Sequence, residues 1–271
     1  MTQNMTHHRS QWVERLARFG YFSKGVVYAI VGLLAVQVAF GTGGRTTDTK
    51  GALQTIVNQP FGKFLLALVA IGLIGYVIWR FVQAIQDPEH KGHDAKGIMK
   101  RIGYAINGLA YAGLALSAMQ IVIGSGGGGN SNSTEDWTAR LLSQPFGRWL
   151  VAAVGVFIIA LGFYQLYKAF SAKFRRKLNL TELSNTESQW VIRICRFGIA
   201  ARGVAFGIIG WFLIQAATQS DASAAGGLDQ VLQTLAQQPY GTWLLGIMSF
   251  GLVAYGIYEI VQARYRQLTT N

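Results

Sequence analysis

Charge is scarce in this chain. Only 13% of its 271 residues are Asp, Glu, Lys or Arg, about half the share of an ordinary soluble domain. Acids are scarcer still, twelve against twenty-four Lys and Arg. Cys195 is the single cysteine, which excludes an internal disulfide. Prolines number four, and three of them fall in one recurring phrase. No histidine lies in the long apolar stretches, and Glu259, near the end of the last one, is almost their only acid. An enzyme needs reactive groups within reach of one another. No catalytic residue, cofactor or metal is expected, and the chain reads as a non-enzyme. His90 and His93 with Asp87, Glu89 and Asp94 are of metal-ligand type but lack strict spacing, and read as a solvated turn.

What the chain has in abundance is apolar length. Hydrophobic residues make up 51% of it. They cluster in six runs: Phe22–Phe40, Phe64–Trp79, Ile102–Ile123, Trp149–Tyr167, Ile199–Ala217 and Trp243–Val261. Each is close to the roughly 20 residues that cross a ~30 Å hydrocarbon core as a helix. A buried helix of a soluble protein usually keeps a polar face, so the runs read as membrane spans. A large all-helical soluble protein is the alternative. The first run is too long for the core of a cleavable signal and reads as a retained span.

The net charge of +12 does not require a nucleic-acid partner. If the termini and the even-numbered loops share one side, that side holds nineteen basic residues and the other five. The loops are short enough for the positive-inside rule. The expected location is a bacterial inner membrane, with six spans and both termini in the cytoplasm.

The phrase QP[FY]G occurs three times, as Gln59-Pro60-Phe61-Gly62, Gln144-Pro145-Phe146-Gly147 and Gln238-Pro239-Tyr240-Gly241. Its flanks fall into register. Each copy opens with Arg, then Gly two residues later, then a polar residue followed at once by Gly: Arg18 to Gly25, Arg101 to Gly108, Arg196 to Gly203. An aromatic follows at Tyr28, Tyr111 and Phe206, and a glutamine at Gln37, Gln120 and Gln215. The arginines are 83 and 95 residues apart and the prolines 85 and 94. Fixed-period self-similarity is the mark of a repeat architecture. The units are 1–94, 95–183 and 184–271, each a helical hairpin. Three hairpins of like orientation should surround a pseudo-threefold axis along the membrane normal.

From about Trp12 to Ala263 the pattern resembles a bacterial membrane family catalogued as domain of unknown function 1206. The resemblance rests on the RFGxxxKG, RIGxxxNG and RFGxxxRG starts and on QPFG or QPYG before the even spans. It implies a helix pair repeated three times. It implies no activity.

Small residues recur at helical spacing after the motif glycines: Gly25, Ala29, Gly32; Gly108, Ala112, Ala115; Gly203, Gly207, Gly210. The even spans carry similar stripes. In lipid, helices associate by close backbone approach along such faces, so the stripes read as packing faces. Trp79, Tyr164 and Tyr258, seventeen residues after Gly62, Gly147 and Gly241, fall where an interfacial aromatic belt is expected. Short amphipathic stretches before each QP[FY]G read as helices on the membrane surface. The phrase itself reads as a turn into the even span, with proline at the helix start.

Two polar tiers are the candidate functional residues. Lys24, Asn107 and Arg202 lie in the odd spans near the basic side. An intramembrane charge is a site by default, although snorkelling to the interface would also account for Lys and Arg. Gln37, Gln120 and Gln215 lie near the outer ends and read as interhelical hydrogen-bonding groups. Two functions fit: a non-catalytic scaffold or partner subunit, working with the bilayer and a membrane-protein partner, or a passive channel or carrier for a small solute or lipid. The scarcity of polar residues favours an axis closed by packing, and with it the scaffold.

The basic asymmetry generates a topology test. In a Cys195-free variant, cysteines at Ser131 and Ala224 should label from outside, and cysteines at Lys91 and Lys177 only after permeabilisation. External labelling at Lys91 would reverse the assignment.

Overall fold

The computed structural model describes residues 2–90, 92, 94–124, 133–181 and 183–266. Lys91, His93, Ser131 and most of the glycine-rich stretch after Gly124 lie outside the described residues. The chain is an all-α multi-pass membrane protein of three repeats. Among the described residues six helices are long and apolar enough to span: α1 (Thr2–Ala39), α3 (Gly62–Ile85), α4 (Ala95–Ile123), α6 (Gly147–Phe170), α7 (Asn185–Gln219) and α9 (Gly241–Tyr265). Three shorter ones precede the even spans: α2 (Thr49–Val57), α5 (Ser133–Leu142) and α8 (Leu228–Gln237).

The closest helix pairs join neighbouring repeats. Each odd span packs most extensively on the even span of the preceding repeat: α4 on α3, α7 on α6 and, closing the circle, α1 on α9. The motif arginine fastens each pair. Arg101 donates to the carbonyls of Ala84 and Ile85 at 2.7 and 2.9 Å. Arg196 donates to Ala169 and Phe170, and Arg18 to Ala263 and Arg264, at equivalent places. The last carbonyls of a helix have no intrahelical donor, and a guanidinium satisfies them while matching the negative helix end.

Above the arginines the stripes do the packing. A Cβ on Gly25 would stand 2.7 Å from the Gly256 carbonyl oxygen, and one on Gly210 2.6 Å from that of Gly155. Gly207 departs from this: a Cβ there meets nothing within 4 Å. Its backbone nevertheless lies in the stripe, since a Cβ on Gly162 would stand 3.0 Å from the Gly207 nitrogen.

Within repeats the packing is unequal. α1 lies against α3 and α7 against α9, but α4 and α6 of the middle repeat do not pack on each other. The repeat register supplies the reason. Ten residues after the first glycine of each even span stand Gly72, Phe157 and Gly251. Five residues after each motif arginine stand Ser23, Ile106 and Ala201. Gly72 faces Ser23 and Gly251 faces Ala201 so closely that a Cβ would overlap the partner, at 1.9 and 2.2 Å. In the middle repeat both places are bulky, and Phe157 and Ile106 stand exposed. A Cβ on Gly20 or Gly198 would strike Tyr76 or Tyr255, whereas one on the equivalent Gly103 meets nothing within 4 Å. The two helices of the middle hairpin therefore do not close on each other as those of the outer hairpins do, leaving a cleft between α4 and α6.

The aromatic belt is corrected by the same asymmetry. Trp79 and Tyr258 are 1% and 3% exposed, inside their closed hairpins, while Tyr164 is 59% exposed beside the cleft.

The amphipathic helices dock on the bundle as well as facing outward. Leu53 and Ile56 of α2 and Val231 and Leu232 of α8 are buried in the continuous core. Each QP[FY]G is a four-residue turn closed by the glycine N–H donating to the glutamine carbonyl, at 2.8, 2.9 and 2.8 Å. The left-handed residue is the aromatic: Phe61, Phe146 and Tyr240 have φ of 58°, 63° and 63°. Positive φ at the third position after a proline is the type II pattern. A bulky residue there costs roughly 1–3 kcal/mol. Glycine is needed next because a Cβ on Gly62 would lie 2.2 Å from the Val57 carbonyl oxygen. The proline thus sits in the turn, ahead of the first helical residue. The three aromatics project outward, at least 80% exposed, where an interfacial ring is favourable.

Gly210→Leu should destabilise the protein by about 1–3 kcal/mol, the range for overpacking, whereas Gly207→Leu should cost clearly less, because a Cβ there meets nothing within 4 Å. Thermal unfolding in one detergent measures both. Equal losses would contradict the close α6–α7 contact.

Candidate functional site

The two ends of the bundle differ. Towards the end away from the motif arginines, Val31, Ala35, Ala115 and Ala118 are buried in the hydrophobic core. Below them Tyr28, Tyr76, Tyr111 and Tyr255 form a tyrosine layer. Tyr28 meets Tyr255, and Tyr76 meets Tyr111, edge to face at 4.8 Å, a favoured aromatic geometry. On the basic side of this layer the bundle holds a partly open cavity of about 240 Å³. This cavity departs from the expectation of an axis closed throughout by packing.

Lys24, Asn107 and Arg202 all line this cavity. Lys24 does not snorkel: its side chain is 2% exposed and pairs with Glu259 at 2.8 Å. Glu259 also accepts from Tyr255 and from Gln262. Lys24 donates to Tyr76 at 3.1 Å and stands 4.9 Å from the Tyr76 and Tyr111 ring centres. Tyr76 in turn donates to Asn107 at 2.9 Å. One residue of each repeat thereby joins a single network, because the repeats place equivalent side chains at one depth.

The even spans contribute a second tier that periodicity alone did not single out. Arg80, Gln165 and Glu259 occupy the same register, eighteen residues after Gly62, Gly147 and Gly241, and all three line the cavity. The available signal was a polar residue at that place in every copy. Glu259 looked peripheral because it lies near a helix end, but the end is covered. The 3-10 turn Lys173–Lys177 follows α6, and the chain then bridges Leu178 to Arg266 beyond α9.

Gln37, Gln120 and Gln215 do not join this site. Gln37 and Gln120 are exposed and Gln215 is half-buried at the outer ends of their spans. Glu89, from the loop cluster, accepts from Arg266 and Lys177, both at 2.6 Å, and from Tyr104 at 3.1 Å. Burial alone would raise the Glu89 carboxyl, but Arg266 and Lys177 outweigh it and hold the group well below the usual carboxylate range. A depressed carboxylate stabilises the fold above its ordinary range and loses that contribution on acidification. The Glu89 latch therefore ties the α3–α4 loop to the segment after α6 at neutral pH. Asp94 of the same loop caps α4, accepting from the Gly97 N–H at 3.0 Å.

The charge balance of the cavity is lopsided. Seven cationic side chains line it and one carboxylate, Glu259. Glu259 serves Lys24, and Glu89 serves Arg266 and Lys177. Among the described residues Arg80, Lys168 and Arg202 form no ion pair. Their partners are neutral. Arg80 donates to Tyr76 and Gln83, Lys168 to Tyr258 and Arg202 to Tyr255. Tyrosine faces add cation–π contact at 4.7 to 4.9 Å. The buried Nε atoms of Arg80, Arg202 and Arg266 have no hydrogen-bond partner. Unmatched cations withdrawn from water are unfavourable.

Three segments of the chain, 19–87, 102–172 and 197–266, match the family described as Domain of Unknown Function (DUF1206). The chain is also 38% identical over 258 residues to the "Uncharacterized protein YxxB" of Bacillus subtilis (strain 168), covering 95% of this chain and 93% of that protein. No solved structure matches it.

The Lys24–Glu259 pair generates a test. Glu259→Leu leaves Lys24 buried without its counter-charge and should destabilise by about 3–5 kcal/mol. Adding Lys24→Met should recover most of that loss. A double variant as unstable as the sum of the two singles would show that the pair is not coupled.

Proposed function

The chain belongs to the Domain of Unknown Function (DUF1206) family, and from that premise we propose that it is a non-catalytic binding or partner subunit of the bacterial inner membrane, holding an anionic group in its axial cavity. The observation that carries this reading is the group of cations without carboxylate partners, Arg80, Lys168 and Arg202, around one cavity. Three fixed cationic donors in a partly desolvated pocket attract anions far more strongly than they would in water. Guanidinium groups suit phosphate and carboxylate oxygens in particular.

The positive-inside imbalance supports an orientation with the cavity and both termini on the cytoplasmic side. The buried apolar side chains at the end away from the cavity, such as Val31, Ala35 and Ala118, favour binding over passage, since a passive path needs polar groups through the full ~30 Å. Holding without turnover fits a scaffold that presents or senses a bound anion for a membrane-protein partner.

Two measurements on the full chain test this. In neutral detergent, inorganic phosphate or dodecyl phosphate should raise the unfolding temperature, and Arg202→Gln should remove most of the rise. In liposomes, phosphate and chloride flux should stay at background. Flux above background would favour the channel. No stabilisation by either anion would overturn the reading.

A further inference from the structure

The cavity has a side opening. Tyr164 lines it yet is 59% exposed, so its ring stands at a boundary between cavity and surroundings. That boundary is the cleft between α4 and α6. One wall bears Ile106, which is followed directly by Asn107, a cavity residue. The other bears Phe157, Leu161 and Tyr164, which lead down α6 to Gln165 and Lys168. Phe157 and Lys168 are eleven residues apart, about 16 Å along a helix at ~1.5 Å per residue. Lys168 lies in the last turn of α6, at the depth of the basic interface. The cleft is therefore apolar towards the membrane centre and cationic at the headgroup level.

We propose that the anion held in the cavity is the phosphate-bearing headgroup of an anionic membrane lipid, which enters sideways between α4 and α6 and leaves its acyl chains in the cleft. This rests on the anion-binding reading above and names the source of the anion. The chemistry of an anionic phospholipid matches the site at both ends. Its phosphodiester oxygens accept from Lys168, Arg202 and Arg80, and its chains cover Ile106 and Phe157. A free phosphate satisfies the cations and leaves the apolar walls unused. The equivalent walls in the other two repeats, Gly72 against Ser23 and Gly251 against Ala201, are shut by close contact. With those two pairs of walls shut, the open one predicts one bound lipid per chain.

Native mass spectrometry of the full chain in neutral detergent tests the proposal, with added dioleoyl phosphatidylglycerol, dioleoyl phosphatidylcholine or inorganic phosphate. Phosphatidylglycerol should be retained at one per chain, at least tenfold more tightly than phosphatidylcholine. Lys168→Gln should weaken its retention about tenfold and Lys168→Arg should restore it. The comparison of the three additives uses the unaltered chain and so stands even where a variant fails to fold. Stabilisation by inorganic phosphate with no preference for phosphatidylglycerol would overturn the lipid proposal and leave the anion reading in place. Equal retention of both lipids would make them boundary lipid and overturn it as well. A protein segment found seated between α4 and α6 would do the same. Failure of every anion, lipid or free, would overturn both readings.

Discussion

Close backbone approach between repeats is the constraint on which the rest of this molecule depends. Lipid tails are as apolar as leucine, so burying apolar surface gives spans little reason to associate. What remains is contact at short range and polar groups that find each other. Gly25 against Gly256 and Gly210 against Gly155 provide the first. Arg18, Arg101 and Arg196, each on the end of the preceding even span, provide the second. Because both devices link one repeat to the one before it, they set equivalent side chains around a common axis. The cavity follows from that alignment: its residues are far apart in sequence and share a register.

The same alignment makes one departure from symmetry consequential. Two small positions within each outer hairpin let its helices touch. In the middle repeat Ile106 and Phe157 occupy those positions, and the helices stand apart. The arginine bonds and the α6–α7 contact do not involve these residues and persist. The result is a ring with five close neighbours and one cleft, located where the polar network reaches the side of the bundle.

A polar interior in a membrane protein has to be matched internally, since no water is at hand in the hydrocarbon. Here the matching is incomplete. Tyrosine hydroxyls and ring faces hold the cations in place, and they carry no compensating charge. Lys24 with Glu259 shows what full compensation looks like in the same cavity. The remaining cations, Arg80, Lys168 and Arg202, are the groups on which the proposed anion binding rests, and the cleft is the side from which the proposed lipid would reach them.

The sequence by itself determined six spans, three repeats, the basic side and the turns before the even helices, because length, composition and periodicity are local properties that survive without knowledge of neighbours. It also marked Lys24, Asn107 and Arg202, through their place in the repeat. Gly207 and Trp79 show where local reading ended: a small residue can lie against its partner through its backbone while its own Cβ direction stays open, and an aromatic near a helix end need not face lipid. Tertiary structure alone decided which even span each odd span meets, that Glu259 is covered by the chain after α6, and that α4 and α6 stay apart. Those outcomes depend on which side chains confront each other across helices. Ile106 and Phe157 are ordinary lipid-compatible residues in the sequence, and they become a wedge only when Gly72 with Ser23 and Gly251 with Ala201 show how near the helices would otherwise come.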